Sequence, residues 1–402
     1  MTTSTTRADQ SPWTVFLIFL RLGLTSFGGP VAHLGYFREE FVSRRQWLSD
    51  RSYADLVALC QFLPGPASSQ VGIALGFSRA GYSGALAAWA GFTLPSAIVL
   101  ILFALGLSSV GNNFSQGALQ GLKVVAVAVV AQAVWGMARS LCTEAKRITI
   151  MMLTTCGALL IPSSGSQVGM ILLAGLAGML LFKPTQLAPH EPLPLKISRR
   201  SGALWLILFF VLLIGLPLAT EVFTSQTLSI VDAFYRAGSL VFGGGHVVLP
   251  LLQTEVVPSG WVNEEVFLAG YGVTQAMPGP LFTFAAFLGA SMTSLPSGWT
   301  GGIIALLAIF IPSFLLVVGA LPFWESLRQN LRTQAALSGV NASVVGLLLA
   351  ALYQPVWTST ILSTQDFIFA LIALVALMFW KLPPWLVVIA GGVAGWLLNA
   401  VV

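Results

Sequence analysis

Two helix-stopping clusters interrupt otherwise apolar sequence in this chain, and both occur twice in the same order. Phe27-Gly28-Gly29-Pro30 returns as Phe242-Gly243-Gly244-Gly245, and Pro64-Gly65-Pro66 returns as Pro278-Gly279-Pro280, at the same spacing to within one residue. Arg21 precedes the first cluster as Arg236 precedes its copy, and Trp47 and Gln61 are matched by Trp261 and Gln275. Such self-similarity marks an internal duplication. Glycine and proline end hydrophobic helices here, and backbone freed at membrane depth is tolerated only where protein buries it or it lines a cavity. The duplicated breaks are where a functional site is expected.

Composition identifies the solvent as a bilayer. Of the 402 residues, 56% are hydrophobic and only 8% charged, whereas a soluble domain carries about 25% charged residues. The expected fold is an all-α polytopic membrane protein. Windows near 83–107, 118–138, 148–162, 167–182, 203–220, 299–321, 335–353, 363–380 and 384–402 read as full spans, the shorter ones helped by flanking residues. The breaks split the remaining apolar sequence into half-length arms, 13–27 with 31–37 and 53–63 with 67–78, and again in the second half. The chain then divides into a polar tail (1–12), an N-terminal membrane repeat (13–182), a Pro-rich linker (183–202), a connecting span (203–220) and a second repeat (221–402). Each repeat holds two broken-helix hairpins followed by full spans.

Basic residues orient these pieces. The loop from Arg38 to Arg51 carries Arg38, Arg44, Arg45 and Arg51, while its counterpart from Gln253 to Glu265 has no lysine or arginine. Positive charge collects on the cytoplasmic side, so the first loop and the N-terminus are placed inside and the second loop outside. The repeats are inverted. Topology accounts for the net charge of +5 without a nucleic-acid partner, and the lipid bilayer is the partner expected throughout. Cys60, Cys142 and Cys156 lack the spacing of a disulfide framework or zinc site and read as packing residues. No metal or cofactor is expected, and no phosphate-binding loop of the G-x-x-x-x-G-K-[ST] type is present.

Inverted repeats with matching interrupted helices point to a secondary transporter whose site lies at the repeat interface. Helix N-termini after Pro30, Pro66, Gly245 and Pro280 each bring unsatisfied N–H groups and roughly half a positive charge to a break, which favours an anion. The candidate binding groups are the backbone at Gly28, Gly29, Gly65, Gly243, Gly244, Gly245 and Gly279, the hydroxyls of Ser68, Ser69 and Thr283, and the amides of Gln61 and Gln275. The two glutamines either bind a ligand or satisfy freed carbonyls. An arginine within a span costs at least about 2.5 kcal/mol without compensation. Arg21 and Arg236 either touch the anion, snorkel to a span end (or, for Arg236, pair with Asp232) or bond backbone carbonyls structurally; no acid is expected at matching positions in both halves to neutralise them. Lys123 either complements a second negative charge or sits at a span end. His33, His246 and Asp55 are candidate proton carriers, or else packing and first-turn residues.

The series Arg21, Phe27-Gly28-Gly29-Pro30, Trp47, Gln61-Phe62-Leu63-Pro64-Gly65-Pro66, echoed by Arg236, Phe242-Gly243-Gly244-Gly245-His246, Trp261, Gln275-Ala276-Met277-Pro278-Gly279-Pro280, resembles the chromate ion transporter family in its long, two-domain form. The likeness covers nearly the whole chain; Pro95 with Pro312 and Gly121 with Gly339 add weaker matches. It implies efflux of chromate from the bacterial cytoplasm across the inner membrane, driven by a gradient of protons or a counter-anion, with sulfate as competing dianion. A homodimer is compatible with it. Pro30 against Gly245 departs from symmetry and puts equal roles for the halves in question. An anion channel and an intramembrane enzyme are the alternative classes; the second lacks a nucleophile with a base at suggestive spacing.

Overall fold

The structure is a computed structural model that describes residues 11–110, 116–183, 197–242 and 244–401. Most of the polar tail, residues 184–196 of the linker, and Gly243 lie outside the described residues. Among the described residues every regular element is helical. The first unit consists of α1 (Pro12–Thr25), α2 (Gly29–Arg38), α3 (Asp50–Phe62) and α4 (Ala67–Val110), followed by α5 (Gln116–Leu141), α6 (Ala145–Leu160) and α7 (Ser164–Leu181). After α8 (Arg199–Val222) the second unit runs through α9 (Gln226–Leu240), α10 (Val248–Val256), α11 (Glu264–Ala276), α12 (Phe284–Ala290) and α13 (Gly298–Ala320). It ends with α14 (Trp324–Gln329), α15 (Leu331–Ala351), α16 (Thr364–Met378) and α17 (Pro384–Val401).

Helices stop at all four clusters. α4 is in addition interrupted by non-helical Ala80 and Gly81, so it comprises a short arm after the break and a full span. Among the described residues five helices are long and apolar enough to cross a bilayer: those over Ala67–Ser108, Gln116–Leu141, Arg199–Val222, Gly298–Phe323 and Leu331–Trp357. The chain is thus an all-α polytopic membrane protein. In α8 only 11% of the most apolar window is buried, which leaves this helix on the lipid-facing outside.

The expected loop from Arg38 to Arg51 is largely helical. α2 continues as a π-helical turn over Glu39–Arg44, and the wider turn lets the adjacent residues Glu40 and Phe41 both face inward, at 3% and 0% exposure. Phe19 of α1 meets Phe37 and Phe41 at ring distances of 5.6 and 5.1 Å. The first break is therefore a hairpin apex. In the second unit, α10 and α12 are preceded by tighter 3₁₀ turns, Gly245–Val247 and Leu281–Thr283; such tightening is common at helix N-termini.

The halves interlock. α5 packs between α16 and α17 of the second half, and α15 packs against α6 and α7 of the first. Small residues make both contacts possible, since without a hydrophobic force between helices in lipid, close backbone approach supplies the packing. A side chain on Gly121 would run into the Gly391 carbonyl, and one on the matched Gly339 would run into Ala174. Likewise α1 lies on α4 through Gly23 against Gly91, and α9 lies on α13 through Gly238 against Ile309. Matched glycine contacts of this kind thus occur in both halves.

Candidate functional site

Each break is built from backbone that only glycine adopts without strain. Gly28 (φ 98°), Gly65 (φ 124°), Gly244 (φ 147°) and Gly279 (φ 90°) all lie at positive φ. The breaks then bond to one another across the repeats. The Gly65 amide donates to the Val241 carbonyl at 2.7 Å, and the Gly279 amide donates to the Ser26 carbonyl at 3.0 Å. Ser26 and Val241 each precede the Phe-Gly-Gly of their own half. A Cβ on Gly245 would sit 3.5 Å from Leu281 and 3.6 Å from Pro30. All four interruptions thus meet in one place.

The freed polar groups are only partly satisfied there. Gln70 donates to the Pro64 carbonyl at 2.7 Å, and the Thr283 hydroxyl donates to the Pro280 carbonyl at 2.8 Å. His33 is almost fully buried, with Nε2 3.1 Å from the Ser26 carbonyl and Nδ1 3.3 Å from the Ser68 hydroxyl. A carbonyl only accepts, so Nε2 carries the proton and Ser68 donates to Nδ1. His33 therefore ties the first break to the start of α4. The buried atoms Ser26 Oγ, Ser69 Oγ, Gln70 Oε1, Ser313 Oγ and Gln275 Nε2 have no hydrogen-bond partner among the described residues. Each such atom costs about 1–3 kcal/mol unless water or a solute engages it.

A cavity of about 500 Å³ opens beside the breaks. Gly28, Gly29, His246, Gln275 and Gly279 line it, together with Lys381 in the turn between α16 and α17. His246 Nδ1 lies 2.9 Å from the Tyr271 hydroxyl. Between apolar side chains such as Phe27, Val129 and Leu377, its polar lining includes helix-start backbone, an amide and an ammonium. Such a wall suits an oxyanion.

The family model for chromate transporters matches residues 13–179 and 228–396, one stretch in each half. This chain belongs to the chromate transporter family. It is 28% identical to a probable chromate transport protein of Synechococcus elongatus, over 94% of this chain and 93% of that protein. It is also 28% identical to a chromate transport protein of Pseudomonas aeruginosa, over 98% of this chain and 95% of that one. An uncharacterized transporter of Bacillus subtilis is 34% identical over 22% of this chain and 49% of its own length. No solved structure matches.

In this chromate transporter the candidate residues separate into four places, the arginine bridges described below being one. Gly28, Gly29, Gly279, His246 and Gln275 share the break cavity, with Gly65, Gly244, Gly245, Ser68, Ser69 and Thr283 in the surrounding backbone and first turns. Gln61 is exposed, unlike its mate Gln275. Lys123 lines a different cavity.

Arg21 and Arg236 do have matched partners, which corrects the expectation that no acid occupies equivalent positions. Arg21 bonds Glu40 at 2.7 Å and Arg236 bonds Glu255 at 3.1 Å, each acid 19 residues beyond its arginine. The repeat offset itself would have revealed this pair. Each bridge ties the two arms of a hairpin, well back from its apex. Glu40 also accepts from Arg44 at 2.8 Å and Arg45 at 2.7 Å, and Asp232 adds a 2.9 Å contact to Arg236. Replacing Glu40 by glutamine is expected to destabilise the folded protein by about 1.5–3 kcal/mol, the range for hydrogen bonds to charged groups; thermal unfolding in detergent measures it, and an unchanged midpoint would contradict the brace. Lys381 went unrecognised because in sequence it reads only as a topology signal next to Pro383 and Pro384.

Proposed function

We propose that the chain is a secondary transporter that exports chromate from the cytoplasm across the bacterial inner membrane by alternating access. The observation that supports this most is the meeting of four helix breaks beside one cavity that carries helix-start backbone, Gln275 and Lys381. A tetrahedral dianion, chromate or its analogue sulfate, sits there against the Gly28-Gly29 backbone and the α2 N-terminus, with Gln275, His246 and Lys381 around it. Arg21 and Arg236 brace the two hairpins rather than touching the anion. The two repeats are inverted, with the N-terminus cytoplasmic, and movement of one repeat against the other opens the site to each side in turn. A proton or a counter-anion drives the cycle.

Chromate uptake into inside-out vesicles tests the site. Lys381→Gln is expected to lower uptake about tenfold, the effect of losing roughly 1.4 kcal/mol of anion stabilisation, and Gly29→Leu to lower it further. Wild-type rates in both variants would defeat the assignment. Inversion is tested by single cysteines at the exposed positions Ser43 and Ser259 in a background lacking Cys60, Cys142 and Cys156. Ser43 should label from inside and Ser259 from outside; labelling of both from one face would rule the topology out.

A further inference from the structure

A second polar cavity, of about 470 Å³, lies at the other end of the same four helices that wall the break cavity. α5 contributes Val129 and Gln132 to the break cavity and Gln120 and Lys123 to the second one. Thr274 and Gln275 of α11 face the first cavity and Glu265 the second. In the same way Leu377 and Asp366 divide α16, and Pro384 and Gly395 divide α17. Lys123 and Gln132 are about 13 Å apart along the helix axis, at 1.5 Å per residue. Buried Val125 and Ala126, and the close contacts of Gly272 with Leu122 and Gly391 with Val125, separate the two spaces.

Lys123 is the cation of the second cavity. Its side chain is 8% exposed, makes no hydrogen bond among the described residues, and meets Glu265 only loosely, at 3.6 Å. Glu265 is 76% exposed on the first turn of α11. The other carboxylate, Asp366, is engaged: its oxygens accept from Gln120 and from Leu362 and Ser363 in the capping box of α16. A desolvated ammonium held loosely by one exposed carboxylate is a position at which an anion and that carboxylate compete.

We propose that Lys123 is a second station for the oxyanion and that Glu265 is the built-in competitor that releases the anion from it. This rests on the oxyanion-transport reading above. A dianion crossing the plug displaces Glu265 from Lys123; return of the carboxylate expels the dianion to the far side.

Sulfate binding to the purified full-length protein, followed by titration calorimetry, is the test, paired with chromate uptake in inside-out vesicles. Glu265→Gln removes the competitor and is expected to tighten sulfate binding about fivefold, the effect of a partly exposed ion pair, while slowing uptake by a similar factor because release becomes limiting. Lys123→Gln in the Glu265→Gln background should cancel the gain, and Lys123→Arg should retain it, which controls for folding. Unchanged affinity in Glu265→Gln, or a gain that survives Lys123→Gln, would overturn the station while leaving wild-type transport intact. Failure of the wild-type protein to bind sulfate and to move chromate would overturn the transport reading and the station together.

Discussion

Gly65→Val and Gly279→Val are each expected to cut chromate uptake by more than tenfold per unit of protein in the membrane. Two costs add at these positions. A non-glycine residue at φ 124° or 90° is strained by about 1–3 kcal/mol. Space is also lacking: a Cβ on Gly65 would lie 2.6 Å from Gln70 Nε2 and 2.7 Å from Ser313 Oγ, and one on Gly279 3.0 Å from the Phe92 carbonyl and 3.1 Å from Ser96 Oγ. Relieving either clash moves an amide that bonds the opposite repeat, so the crossed bonds to Val241 and Ser26 are lost together with the alignment of the breaks. Gly29→Ala provides the contrast. Gly29 lies at φ 76°, yet its Cβ would meet nothing within 4 Å, so only the conformational strain applies and a several-fold loss is expected. Vesicle uptake normalised to immunoblotted protein ranks the three variants, and a Gly65→Val protein as active as Gly29→Ala would refute the crossed-bond account.

Arg236→Ala is expected to damage the protein far more than Arg21→Ala, although the two arginines occupy matched positions. Removing Arg236 strands Asp232 and Glu255, whose side chains are only 7% and 16% exposed, beside each other without a cation. Breaking a buried pair from one side costs about 3–5 kcal/mol, a large share of the roughly 5–15 kcal/mol that holds a typical fold. Glu40, by contrast, keeps Arg44 and Arg45 when Arg21 is lost, and Arg21 is itself 53% exposed. That variant should lose about 1 kcal/mol or less. Membrane abundance and thermal unfolding in detergent measure both. Equal loss at the two positions would show that the pairs are used symmetrically. Arg236→Lys should recover part of the stability, because one ammonium can face two carboxylates without the fork geometry of arginine.

Much of the architecture was legible because its causes are local or periodic. Paired Gly and Pro clusters break helices wherever they lie in apolar sequence, and the duplication made the breaks after α1 and α9, and those after α3 and α11, legible as equivalent. The site was less legible. Gln61 and Gln275 occupy the same position in the repeat, yet only Gln275 reaches the cavity, because packing around α3 differs from packing around α11, which is buried along almost its whole length. Lys123 was grouped with the breaks on the strength of being an intramembrane cation; its position along α5 sets it about two and a half turns away.

The order of the residues alone determined that this chain spans a bilayer as helices, that it is a duplicated pair of broken-helix units, and that a family of oxyanion transporters shares its pattern, since hydropathy, helix breaking and repetition act at short range along the chain. Only the tertiary structure decided which polar groups face each other: that Gly65 and Gly279 bond across the repeats, that Glu40 and Glu255 hold the arginines, and that Lys381 and Lys123 lie in separate cavities. Those relations join residues tens to hundreds of positions apart. Close packing of interlocked helices sets them, and no local rule encodes it.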